Sequence, residues 1–387
     1  MVSGWTVCRS LTRKQRLGQS TMSSARGNRE SNSVVCKSTT DITESIRLDS
    51  EVEMQRVAEL FKANSPRAIP LLIHTHDQLA SYMSSNQIHN YLFDCDGVLY
   101  RGADPMPSAS RTIEYLIKSG KQVFFVTNNA SSTRMELKLK LEKVLNLPRG
   151  LMKEEMMIGS AYVASRYLTS CLSKKSNNIR RVHVIGTSGL CQELQSAGFD
   201  ISGGPDIIGT ACGMSRDELA AYPFPEEEID AMVIGLDPDF NYRKLCIATV
   251  LLQRNPHAIL VATNRDSFDL VGVDARHLPG NGAVVCAVES ASGRSAINVG
   301  KPSLTLASWI MEEYKLMGEE TMMVGDRLDT DVAFGNTAGM KISALVLTGC
   351  ATATDIEELL LNEEKDDYRD MMPTIIFPHV GCIVRPK

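Results

Sequence analysis

A chain of 387 residues, 43% hydrophobic and 22% charged, is long enough for two or three domains and has the composition of an ordinary globular protein. Its formal net charge of −5 argues against nucleic acid as the main partner. No apolar run approaches the roughly 18 residues that cross a membrane, and the ten cysteines include no CxxC pair and no cysteine–histidine group at zinc spacing, which fits reduced thiols in an intracellular compartment.

Residues 1 to about 40 have a character of their own. Arg9, Arg13, Lys14, Arg16, Arg26, Arg29 and Lys37 are basic, serine and threonine are frequent, and Glu30 is the only acid before Asp41. This is the composition of an organellar transit peptide, chloroplast or mitochondrial; a basic tail on a cytosolic protein is the plainer alternative. Residues 1–60 are therefore expected as a targeting segment, disordered or removed, although apolar periodicity suggests helices over about 50–62 and 75–87.

Tyr91 to Tyr100 reads YLFDCDGVLY. Tyr91, Leu92 and Phe93 suit a buried strand of a parallel sheet, which stops at Asp94. Asp96 follows two residues later, and Gly97 allows the chain to turn away. In an open α/β sheet ligands bind beyond the carboxyl ends of the strands, where both acids are delivered. Two carboxylates so close need a cation or a proton between them, and Mg²⁺ prefers such hard oxygen ligands. One acid could serve as a nucleophile and the other as a general acid and base. An acidic turn is the bland alternative for this stretch alone.

A helix with Ile113, Leu116 and Ile117 on one face is closed by Gly120. The strand Val123 to Val126 then ends at Thr127, Asn128 and Asn129, where a hydroxyl and backbone amides could hold a phosphoryl oxygen or simply start the next helix. From about Val182 the βα pattern starts afresh: VHVIG, AMVIG and AILVA read as three strands separated by helices. They belong either to a small inserted α/β domain or to one larger sheet. The loop GLDPDFNY follows the second of these strands. Farther on, a short strand runs into Gly300, Lys301 and Pro302, and Ser303 caps a helix. TMMVGDRLDTD brings Asp326, Asp329 and Asp331 to another strand end, a crowd of carboxylates that implies a bound cation. The segment around Pro373–Phe377 reads as a late edge strand, and Thr354 with Glu357 as a capping box.

Together these strand ends supply an acid pair, a hydroxyl with amides, a lysine and a second acid cluster, the set that phosphoryl transfer requires. FDCDGVLY, FVTNN, VGKP and VGDRLDTD resemble, in order, the four signatures of haloacid dehalogenase-like phosphatases. GTSGLCQELQSAGF, GLDPDFNY and VATNRD are similar to the cap of the subgroup that contains phosphoglycolate phosphatase and pyridoxal phosphatase. The likeness spans about residues 76–360. It implies an α/β fold, a Rossmann-like parallel-sheet core over 61–178 and 265–387 with an inserted α/β cap over 179–264.

The resemblance also implies roles. Asp94 would be the nucleophile and Asp96 the acid and base. Mg²⁺ would be bound by the Asp94 carboxylate, the Asp96 backbone carbonyl and Asp326. Thr127, Asn128, Asn129 and Lys301 would hold the phosphoryl group, and Asp331 would orient the metal shell or Lys301 from behind. Asp329 is left without catalytic duty. Asp237, Asp239 and Tyr242 in the cap loop are candidates for substrate selection. The implied substrate is a small phosphorylated metabolite, 2-phosphoglycolate before pyridoxal phosphate or a broad range of small phosphoesters, and a homodimer through the cap is an expectation of the family alone. A metabolite-binding module without catalysis is the rival class. No GxxxxGK[ST] loop supports a nucleotide-using enzyme.

Overall fold

The computed structural model describes residues 39–64, 70–174, 179–206, 215–271, 276–362 and 366–385. The basic run expected as a leader lies outside the described residues as far as residue 38. From Thr39 to Asn64 the chain is one helix. Met54, Val57 and Phe61 on that helix are buried with Ile356, Leu359 and Leu360 of the helix Ala353–Leu361. Residues 39–60 are thus packed structure, a correction to the targeting segment expected as far as residue 60. The mixed sequence of this helix hides its apolar stripe until a partner helix is beside it.

Seven parallel strands form a central sheet. In spatial order they are Leu71–Leu72, Ile375–Phe377, Ile342–Val346, Thr321–Gly325, Asn90–Phe93, Gln122–Thr127 and Met157–Gly159. Alternation along the strands sorts the core onto two faces. Tyr91, Phe93, Val123, Phe125 and Val324 point into one buried cluster, and Leu92, Phe124, Val126 and Met323 into the other. Ile375–Phe377 is not the edge expected for it, because Leu71–Leu72 pairs outside it; an apolar pair is too short to show a period.

A second parallel sheet has the order Ile297–Asn298, Ile259–Ala262, Ala231–Ile234, Arg181–Ile185 and Asp200–Gly203. The three strands read from the sequence are its middle, and one edge strand comes from beyond residue 264. Val184, Val233 and Val261 of this sheet share a buried cluster with Leu92 and Met323 of the central one. Two short hairpins, Tyr100–Arg101 with Asp104–Pro105 and Phe268–Val271 with Arg276–Pro279, complete the strands. No described helix is long and apolar enough to cross a membrane.

In the central sheet, Phe93 is level with Val324 on one side and with Phe125 on the other. Three neighbouring strands therefore end together, and the loops that leave them meet in space.

Candidate active site at the strand ends of the central sheet

Asp94 and Asp326 follow two of these strands directly and Thr127 ends the third, and all three are buried. Lys301 enters from the loop after Ile297–Asn298. Its ammonium donates to Asp94 Oδ1 at 2.5 Å, to Asp331 Oδ1 at 2.7 Å and to the Val126 carbonyl at 2.7 Å. The other oxygen of Asp331 accepts the backbone N–H groups of Asp326 and Arg327, both at 3.1 Å. Asp326 in turn accepts the Cys350 N–H at 2.7 Å. Gly349 and Gly97 close over that carboxylate, and a Cβ on either would strike it; Gly97 also has φ +79°, a left-handed backbone that suits glycine.

Carboxylate oxygens of Asp94, Asp326 and Asp331 lie within 4.8 Å of one another. Burial raises the Asp94 carboxyl well above its usual range; Lys301 pulls it down, while Asp331 and Asp326 push it further up. Asp326 is lifted to about 7 by burial and by Asp331, against the Cys350 N–H and Arg327. Burial alone would lower Lys301, but Asp331 and Asp94 hold it above the ordinary lysine range. One ammonium among three carboxylates leaves an excess of buried negative charge, and the donors are hard oxygens. That set fits Mg²⁺.

Asp96 is not in the carboxylate group. Its side chain faces the cleft, and its Oδ2 accepts the Tyr100 hydroxyl at 2.9 Å. Lys140 donates to the same hydroxyl oxygen at 2.9 Å, its ammonium 4.1 Å from the ring centroid. Asp96 is exposed to the cleft, and the protein walls around it raise its carboxyl, while Lys140 and the Tyr100 hydroxyl work the other way.

The Thr127–Asn129 segment lines the same cleft of about 290 Å³, near the lower end of the size that holds small ligands. The Asn128 side chain is already engaged: its Oδ1 accepts the Lys301 N–H at 2.8 Å and its Nδ2 donates to Asp266 at 2.8 Å. It straps the lysine loop to the strand end. Asn129 Oδ1 accepts the Ser131 N–H at 2.8 Å. Asp329 pairs with Arg327 at the surface.

From GLDPDFNY the cleft takes Leu236, not Asp237, Asp239 or Tyr242. Asp237 is buried in an ion pair with Lys244 at 2.5 Å, because the following helix turns that lysine inward. Asp239 bonds its N–H back to Asp237, and Tyr242 is 65% exposed in another groove. Sequence reasoning missed Arg101, Asp266, Asp269 and Arg327 as cleft residues. Arg327 donates to the Phe268 carbonyl at 3.1 Å and lies over its ring, which fastens the hairpin carrying Asp269 beside the cleft. Burial raises Asp266 to about 6 and raises Asp269 too; Arg327 opposes both shifts, and Asp96 adds to the second. ATNRD held a visible signal for Asp266, an acid after a strand end. Asp269 had none.

Residues 91–200 match the family described as haloacid dehalogenase-like hydrolase, and residues 298–372 match a second family of that kind, HAD-hydrolase-like. The chain is 34% identical to phosphoglycolate phosphatase 2 of Arabidopsis thaliana over 294 residues, 75% of this chain and 93% of that protein. It is 32% identical to phosphoglycolate phosphatase 1A, chloroplastic, of the same plant, covering 77% and 79%. It is 38% identical to glycerol-3-phosphate phosphatase of Gallus gallus, covering 72% and 85%. Among solved structures, glycerol phosphate phosphatase Rv1692 from Mycobacterium tuberculosis in complex with magnesium is similar, with a TM-score of 0.59 and 26% identity over 77% of this chain and 76% of that one.

Proposed function

The chain belongs to the haloacid dehalogenase-like hydrolases and is a phosphatase, and from that premise we propose that it is a Mg²⁺-dependent phosphomonoesterase that hydrolyses 2-phosphoglycolate through an aspartyl-phosphate on Asp94. The observation that carries this reading is the buried Lys301 bridge between Asp94 and Asp331, with Asp326 in the same carboxylate group.

An oxygen of Asp94 attacks phosphorus, the bond from phosphorus to the leaving oxygen breaks, and Asp96 protonates that oxygen. Water then attacks phosphorus and yields its proton to Asp96. The bond from phosphorus to Asp94 breaks and inorganic phosphate leaves. Lys301 offsets charge on Asp94 and on the phosphoryl group, and the Thr127 hydroxyl and the amides after it hold the phosphoryl oxygens. Mg²⁺, held by Asp94, Asp326 and the Asp96 carbonyl with Asp331 supporting the shell, would supply further neutralisation of the phosphoryl charge.

The second sheet, built mostly from residues 179–264, acts in this reading as a cap that sets Leu236 over the site and limits water. 2-Phosphoglycolate is supported by the two Arabidopsis relatives, and a chloroplast address by one of them and by the basic residues before Lys37. Asp269 beside the cleft favours a second reading, an uncharged polyol ester such as glycerol 3-phosphate, since a further carboxylate on the substrate would meet it unfavourably.

The test is phosphate release from 2-phosphoglycolate, glycerol 3-phosphate and pyridoxal phosphate, with Mg²⁺ and with chelator. Mg²⁺-dependent release fastest from 2-phosphoglycolate upholds the proposal. Fastest release from glycerol 3-phosphate moves the substrate to the second reading, and release that survives chelation refutes the metal dependence.

A further inference from the structure

The hydroxyl of Tyr100 and the ammonium of Lys140 have no part in the chemistry described so far, yet they end on Asp96. We infer that Tyr100 and Lys140 are positioning residues that fix which oxygen of Asp96 carries the transferable proton. The direction of the chain follows from its first member. An ammonium has donors and no acceptor, so Lys140 must donate to the Tyr100 oxygen, and the single hydroxyl proton is left to point at Asp96 Oδ2. With Oδ2 held as an acceptor, the proton that Asp96 gives to a leaving group sits on Oδ1.

Tyr100 is well placed to impose this. It is 1% exposed, and its backbone is tied to the same turn: Gly97 N–H donates to the Tyr100 carbonyl at 2.9 Å and Tyr100 N–H to the Cys95 carbonyl at 3.3 Å. Lys140 comes from a different element, the helix Arg134–Val144, so the carboxyl is braced from outside its own loop. A phenylalanine at position 100 would fill the same space and leave Asp96 free to turn.

The inference rests on Asp96 as the acid and base of the proposed mechanism, and the experiment separates the two. kcat/KM, which covers the steps through expulsion of the leaving group, is measured for the full chain and for Tyr100→Phe, Lys140→Met and Asp96→Asn. Two substrates are used: 4-nitrophenyl phosphate, whose leaving group departs without a proton, and glycerol 3-phosphate, whose alkoxide needs one. Tyr100→Phe and Lys140→Met are expected to lose about tenfold on the alkyl ester and less than about twofold on the nitrophenyl ester. Equal losses on both esters in these two variants would mean a merely structural role, and no loss on either would mean no role; both results overturn the inference. Asp96→Asn that keeps full activity on the alkyl ester overturns the acid–base reading and this inference with it. Asp96→Asn that loses that activity, beside unchanged tyrosine and lysine variants, overturns the inference alone. Lys140→Met lies half-exposed on a helix and carries the test by itself if the buried tyrosine variant fails to fold.

Discussion

Lys301 and Asp94, 207 positions apart in sequence, meet as a buried ion pair with 2.5 Å between Nζ and Oδ1. The same ammonium bonds Asp331, so its removal strands two buried carboxylates beside a third. Lys301→Met is expected to cost about 3–5 kcal/mol of stability in chelator, the range for breaking a buried pair. Urea denaturation measures it, and Mg²⁺ should return part of the loss by supplying the missing positive charge. A variant as stable as the parent in chelator would mean that the carboxylates are protonated and the pair is idle.

Asp94→Asn keeps the shape of the site and removes one negative charge from it. Turnover of every phosphoester should fall at least about 10³-fold, because an amide cannot form the acyl phosphate. The circular dichroism spectrum should stay that of the parent. Residual turnover within tenfold of the parent would exclude Asp94 as nucleophile.

The strand ends were legible because each required residue follows a short apolar run directly, as Asp94 follows Phe93 and Asp326 follows Gly325. The sheet then brings them together without further instruction. Three other features were illegible for different reasons. Asp237 looked free to meet a substrate, but its partner Lys244 lies seven residues on, in the first turn of the helix Tyr242–Arg254, where only the folded helix shows that it points inward. Arg327 reaches Phe268 on the hairpin that carries Asp269, a contact between segments 59 residues apart that no local pattern announces. The helix Ala353–Leu361 is capped by Thr352 with Asp355, two residues before the box read at Thr354 and Glu357, since either threonine has an acid three places on.

The helix Thr39–Asn64 bears on where a leader could end. Met54 is 1% exposed among Ile356, Leu359 and Leu345. Met54→Ala should cost about 2–5 kcal/mol, and a chain begun after residue 60 should lose at least as much, whereas one begun at Thr39 should melt with the full chain. Thermal denaturation of the three decides it; an unaffected short chain would mean that the helix is dispensable.

His183 sets a pH limit on the second sheet. It is 2% exposed, with Ser202 Oγ 3.0 Å from its Nδ1. Burial first, then Lys244, lowers its pKa from 6.5 to about 4; Glu227, 4.0 Å away and half in solvent, does not offset them. Above pH 6.5 the ring is neutral in both folded and unfolded chains and costs nothing. Between 6.5 and about 4 the unfolded chain takes up the proton and the folded one does not, so stability falls as pH falls. The full loss is about 3 kcal/mol. His183→Gln should flatten that part of the stability curve, as read by urea midpoints from pH 7 to 4; an unchanged slope would assign the acid sensitivity elsewhere.

Asp269 bears on substrate choice through its charge. It reaches the cleft on the hairpin that Arg327 fastens, and its carboxyl feels Asp96. A leaving group bearing a carboxylate must come near both acids, while a polyol can donate hydroxyl protons to them. Replacing the charge with an amide of the same shape keeps the hydrogen bonding and removes the repulsion. Between partly screened like charges in one cleft such a repulsion is on the order of 1 kcal/mol, or about fivefold in a rate constant. Asp269→Asn should therefore raise kcat/KM for 2-phosphoglycolate about fivefold relative to glycerol 3-phosphate, with 4-nitrophenyl phosphate nearly unmoved. A drop for 2-phosphoglycolate alone would mean that Asp269 serves the anionic substrate by holding Arg327 or Arg101 in place, and the preference drawn from its charge would reverse.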